Sequence, residues 1–117
     1  TDPAIYAICD ATVVRVSDDW WGLGSPGGAL ADRGDGIIII RASNDVGPIR
    51  KGDNICYGHA EHPAVHVGQH VQAGHRIGHA GFANAWHIHF MVNHRSDTKG
   101  VGDRDPRPVI DYVVKHG

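Results

Sequence analysis

The chain is short of several residue types, and each shortage closes off a class of protein. Its 117 residues hold two cysteines, one methionine and a single glutamate. Two cysteines are too few for a disulfide scaffold or a thiolate zinc site. Cys9 and Cys56 leave two readings open, a single pair or two small buried hydrophobes. No run of lysine and arginine occurs, and the formal net charge is −2 with histidines neutral. Such a chain has no electrostatic grip on nucleic acid or on an anionic membrane. The longest apolar stretch, "GIIIIRA" at 36–42, is far below the ~20 residues of a membrane-spanning helix. No transmembrane segment is expected. No secretory leader is visible in "TDPAIYAICD", so a processed or excised piece, or another export route, is expected. Solenoid repeats, coiled-coil heptads and low-complexity tracts are missing as well.

What remains is ordinary globular material, 41% hydrophobic and 21% charged, expected to form one domain over residues 1–117. The apolar pattern has the period of strands. "AIYAICDATVVRV" (4–16) alternates around a turn or bulge at Asp10-Ala11. "IIIIRAS" (37–43) reads as a strand buried on both faces, and "NICYGHA" (54–60) as a strand ending near His59. From 64 onward, glycines at 68, 74, 78 and 81 punctuate short β segments with Val65, Val67, Val71 and Ile77 as apolar members. Histidines 66, 70, 75 and 79 take the polar slots and are expected to face solvent. "WHIHFMV" is the next strand, and "PVIDYVVKHG" is a short helix begun by Pro108. The expected fold is all-β, an antiparallel sandwich or open barrel with a groove and at most one short C-terminal helix. The glycine-rich stretch 17–36 is expected to be a long loop beside that groove. Trp20 and Trp21 in it either pack beneath the loop or offer a ring to a ligand.

Ten histidines against one glutamate is the unusual number. Imidazole is the commonest metal ligand and the commonest acid/base near neutral pH. In "AWHIHFMVNH" (85–94), strand alternation puts His87 and His89 on one face, roughly 6.6 Å apart. Two such rings can serve one site, as two ligands or as a ligand beside an acid/base. Two half-buried, hydrogen-bonded histidines fit the same three residues.

The ordered set "YGH", "VGQHVQAGHRIGHAG" and "WHIHF" resembles the lysostaphin/LytM-type zinc endopeptidases of bacterial cell walls. That family runs through a Tyr-x-His strand, a Val-x-x-Gly-x-x-Val-x-x-Gly-x-x-Ile-Gly hairpin and a closing His-x-His-Phe strand. Here these are Tyr57 to His59, Val65 to Gly78, and His87 to Phe90. The resemblance covers most of residues 4–93, with Ala11 standing where the family commonly has glycine. It implies a zinc ligand at His89, and at His59 and His87 the two imidazoles that activate water and stabilise the tetrahedral intermediate. It further implies zinc as cofactor, the peptides of peptidoglycan as substrate, and an extracellular or cell-wall-directed place of action, secreted or phage-delivered.

The family's other two ligands come from a His-x-x-x-Asp stretch before the first strand, and this sequence shows none. A catalytic zinc keeps three protein ligands and one open position. Two expectations follow. The first is a peptidase domain lacking its N-terminal edge, so that this chain binds zinc weakly and is low in activity. The second is a degenerate, metal-free domain that binds peptidoglycan or regulates a partner hydrolase. A histidine-rich, metal-buffering or ligand-binding β domain is a third class, which leaves the ordered hairpin pattern unexplained.

Overall fold

Residues 4–17, 36–80 and 89–116 are described by the computed structural model. Among the described residues, short β-branched runs separated by turns produce eight strands, all antiparallel in their pairings. They are β1 (Ala4–Tyr6), β2 (Ala11–Ser17), β3 (Ile37–Ala42), β4 (Asn54–Gly58), β5 (Ala60–Glu61), β6 (His70–Val71), β7 (Arg76–Ala80) and β8 (His89–Asn93), followed by one helix, α1 (Arg107–His116). Two sheets result, a five-stranded one in the order β6-β2-β3-β4-β8 and a three-stranded one in the order β1-β7-β5. The fold is a β sandwich with one short C-terminal helix, as expected. Among the described residues the strands close no barrel, and no helix is long and apolar enough to cross a membrane.

The main core lies between the sheets. Val13, Ile38, Ile40, Ile55, Tyr57 and Val92 enter it from the large sheet, and Ile5, Ala60 and Ile77 from the small one. Val109 of α1 joins the same cluster. The run of four isoleucines in β3 serves both faces, because Ile37 and Ile39 pack outward with Cys56, Val14 and Met91. That outer cluster is why β3 reads as apolar throughout rather than alternating.

A strict alternation in "ATVVRVS" would drive Arg15 into the core beside Ala11 and Val13. The ladder between β2 and β3 instead slips at Val13/Arg15, pairing Val13 with Ile40 and Arg15 with Ile39. The extra residue turns Val14 and Arg15 to the outer side and returns Val16 to the core. Arg15 is almost fully buried there, with its Nη1 donating to the Thr98 carbonyl at 2.9 Å.

Three local differences from the sequence reading have physical causes. The segment 54–60 is two strands in different sheets, because His59 takes a left-handed φ of 57° and breaks the ladder. The glycine-punctuated β6 and β7 also part into different sheets. A turn with Gly74 at φ 87° carries the chain across, so that Val71 and Ile77 fill the core from opposite sides. Val67 is exposed on the turn before Gly68, and no β segment holds it.

Two glycines are demanded by close approach. A Cβ on Gly78 would stand 2.9 Å from Ile38 Cδ1 and 3.2 Å from the Glu61 carbonyl. Gly47, at φ 55°, lies under the Tyr112 ring of α1, with ring carbons 2.5 Å from where a Cβ would be. The helix therefore docks on the 46–49 turn through that ring.

Candidate functional site

Tyr57 and His59 are separated by one residue and do opposite things. Tyr57 is buried in the core, accepts the Ile8 amide on its hydroxyl at 3.3 Å, and meets Phe90 edge-on at 5.8 Å. Burial pushes its hydroxyl well above the ordinary tyrosine range, so it stays protonated and structural. His59 is half-buried at the crossing between the sheets. A left-handed backbone costs an L-residue about 1–2 kcal/mol relative to glycine. That strain aims His59 out of the ladder, while Ala60 drops into the core and donates its amide to the Gly36 carbonyl at 3.0 Å.

The register fixes what lies beside it. Gly58 pairs with His89 on one side and Ile37 on the other. Facing residues of an antiparallel pair have Cα atoms about 4.5–5.5 Å apart. His59 therefore follows directly on the residue that faces His89, although thirty positions separate the two histidines. The backbone of His89 opens β8 with the parity of Met91 and Asn93, the outward-facing positions of that strand. His87 lies outside the described residues, as do 18–35 with Trp20 and Trp21, so the groove wall expected from that loop is not described.

The outer face of the large sheet carries a polar ladder that sequence reasoning missed. Arg41 Nε donates to Asn54 Oδ1 at 2.9 Å, and Asn54 Nδ2 donates to Asn93 Oδ1 at 2.9 Å. These side chains then take hold of the segment 95–101. Arg41 Nη2 donates to the carbonyls of Ser96 and Asp97, Asn54 to those of Arg95 and Asp97, and Asn93 to those of Lys99 and Val101. A strap of main chain is thus fastened across one end of the face. The fully buried Asn93 is its central pin. In the sequence these asparagines carry no signal beyond their place at strand ends.

Two ionisable clusters are also assembled by the fold. Asp53 is fully buried and accepts the Arg50 amide at 2.9 Å. It also faces His94 Nδ1 at 2.6 Å and Arg104 Nη1 at 3.0 Å, and Arg104 in turn contacts the His94 ring. On the small sheet, Glu61 pairs in register with His79. His62 stands beside both, 3.9 Å from the Glu61 carboxylate and 6.1 Å from the His79 ring centre. His79 is half-buried and meets Arg76 Nη1 at 3.2 Å, in contrast to the exposed His66, His70 and His75.

The thiols are not candidates for chemistry. Both are buried and unpaired with each other. Burial, then the charges of Asp10 and Asp53, raises Cys9 to about 11. Burial raises Cys56 to about 12 against the opposing charge of Arg15. Neither is a thiolate at neutral pH.

Among the described residues no three histidine, cysteine, aspartate or glutamate side chains converge as a metal-holding group. The imidazoles of the His-x-His pair suit zinc by donor type. In comparisons with known proteins, no family model matches the chain and no curated protein matches it.

Proposed function

We propose that this is a zinc-dependent endopeptidase domain acting on the peptides of bacterial peptidoglycan. The reading takes His89 as a metal ligand and His59 and His87 as its acid/base pair. One observation carries it: His59, held in a strained left-handed turn, adjoins the residue that pairs with His89. Strain of this kind gathers at functional sites, where the surrounding structure holds a side chain against its local preference.

Zinc, when bound, would polarise the scissile carbonyl and lower the pKa of a water molecule towards ~7. His89 would hold the metal, with further ligands unassigned. The part of His59 is to stand beside the reacting carbonyl and exchange a proton with it or with the departing amine. His87, two residues earlier in the sequence than His89, would do the same.

Release of soluble fragments from purified cell walls tests this, with zinc supplied and then removed by chelator. The expected result is a low, chelator-sensitive release that is lost in His59→Ala, His87→Ala and His89→Ala, each still folded. Wall binding with no release under any metal condition would refute the enzyme and leave a metal-free binding domain.

A further inference from the structure

One edge of the large sheet is filled at Val92 and open at Phe90. Both residues belong to β8, the outermost strand, and among the described residues no strand pairs with its far side. We infer that this open edge docks the main chain of the peptide substrate as an added strand, hydrogen-bonded to Phe90 beside His89. Only the identity of that guest rests on the reading above.

Alternation decides which main-chain groups of β8 face the edge. Successive residues of a strand aim their N–H and C=O groups to opposite sides. The Val92 carbonyl accepts the Asp103 amide at 3.1 Å, so it points away from β4. Phe90, two residues earlier, has the same parity, and its N–H and C=O point the same way. His89 and Met91 turn theirs inward, towards Gly58 and Cys56. The next ladder agrees. Ala42 donates to the Asp53 carbonyl at 2.8 Å, which puts Ile55 and Tyr57 on the β3 side and Cys56 and Gly58 on the β8 side. Phe90 is half-buried with its ring against Tyr57, and among the described residues its amide and carbonyl take no hydrogen bond.

The protein itself shows what fits this edge. The segment before α1 lies against it, with Arg104 bridging Val92 in antiparallel sense. Continuing that register by two residues would bring Pro106 opposite Phe90. Proline has no N–H to give, and the Pro106 carbonyl is taken by the Ile110 amide at 3.0 Å as α1 begins. The chain therefore turns away and leaves one donor and one acceptor of Phe90 without a neighbour. Another extended residue matches that pair, offering a carbonyl to the N–H and an amide to the C=O. Unpaired edges of this kind take up peptides by strand addition.

Position ties the edge to the candidate site. A guest residue bonded to Phe90 places its own chain neighbour opposite His89. That row is a non-hydrogen-bonded one on this side, where facing Cα atoms stand about 4.5 Å apart. The guest's main chain thus passes directly beside His89, in the row of Gly58 that His59 follows. The bridge between Val92 and Arg104 closes the other direction, so the guest runs from Phe90 past His89 and not towards Asn93.

Hydrogen exchange tests the edge, with chelator present so that no cleavage enters. In the free chain the Phe90 amide is expected to exchange at least about tenfold faster than the Met91 amide, which the β4 ladder holds. A blocked pentapeptide of alternating glycine and alanine is then titrated in, beside its all-ester analogue, which lacks every backbone N–H. The peptide is expected to shift the Phe90 amide and, at saturation, to slow its exchange at least about fivefold. The ester is expected to bind about three- to tenfold more weakly, the loss of one or two hydrogen bonds. A Phe90 amide as protected as Met91 in the free chain would overturn the docking edge. So would binding that leaves Phe90 exchange unchanged, no binding at millimolar peptide, or equal affinity for the ester. Release of wall fragments by a chain whose Phe90 amide does not respond to peptide would overturn the edge and leave the enzyme reading standing. Protection at Phe90 in a chain that releases nothing would support the edge and refute the enzyme.

Discussion

Replacing Asn93 by alanine isolates the pin that holds the 95–101 strap. Its Oδ1 accepts the Asn54 side chain at 2.9 Å and the Arg95 amide at 3.0 Å, and its Nδ2 donates to the Val101 carbonyl at 2.7 Å. Asn54 keeps the Arg95 and Asp97 carbonyls after the change, so it is not orphaned. The Arg95 amide and the Val101 carbonyl are. Each buried polar group left unsatisfied costs about 1–3 kcal/mol, and partial access of water to the strap favours the lower half of that range. Together with the small cavity, the loss comes to about 3 kcal/mol. A chain of this length unfolds with an entropy near 0.25 kcal/mol/K, so the melting temperature should drop by about 12 °C. Calorimetry measures it, and Asn44→Ala on the exposed 44–47 turn should change stability by less than ~0.5 kcal/mol. A drop of only ~2 °C in Asn93→Ala would mean that the strap is not fastened through this amide.

Other expectations concern the core and the thiols. Gly78→Ala should lose about 1–3 kcal/mol from the contact with Ile38 Cδ1, and pairing it with Ile38→Val should recover part of that in a double-mutant cycle. Gly47→Ala should weaken the docking of α1 by ~2 kcal/mol or more, seen as early loss of helix signal on heating, because both its φ of 55° and the Tyr112 ring oppose a Cβ. Cys9 and Cys56 should resist thiol reagents at pH 8 until the chain unfolds, and native labelling of either would contradict their burial. Both thiols have folded pKa values, about 11 and about 12, above their ordinary value of 9.0. The folded state therefore keeps protons that the unfolded chain loses, so their contribution is complete below pH 9 and is lost as pH rises through 9 to 12. Replacing both cysteines by alanine should flatten that alkaline decline in melting temperature.

The residues alone disclosed most of the strands, though not the turn at Val65–Gly68 or the break at His59, because period-two patterning and β-branching are local properties. "IIIIRA" reads as buried on both sides, and it is; the tail reads as a helix near Pro108, and it is one. The His-x-His and Tyr-x-His patterns were equally visible as text, since motifs of that kind span three residues. Pairing partners are another matter. Nothing local in "NICYGHA" says that the chain leaves one sheet at His59 and joins another at Ala60; that break is set by where Gly58, Ile37 and His89 meet. The bulge that rescues Arg15 from the core exists because the ladder can slip one residue, whereas a buried unpaired cation would cost far more. Asn54, Asn93 and the strap, Asp53 with His94 and Arg104, and the bridge joining Val92 to Arg104 are all contacts between residues distant in sequence. Local chemistry marks a residue as polar or apolar, and only closure of the two sheets decides which polar groups are buried together and must satisfy one another.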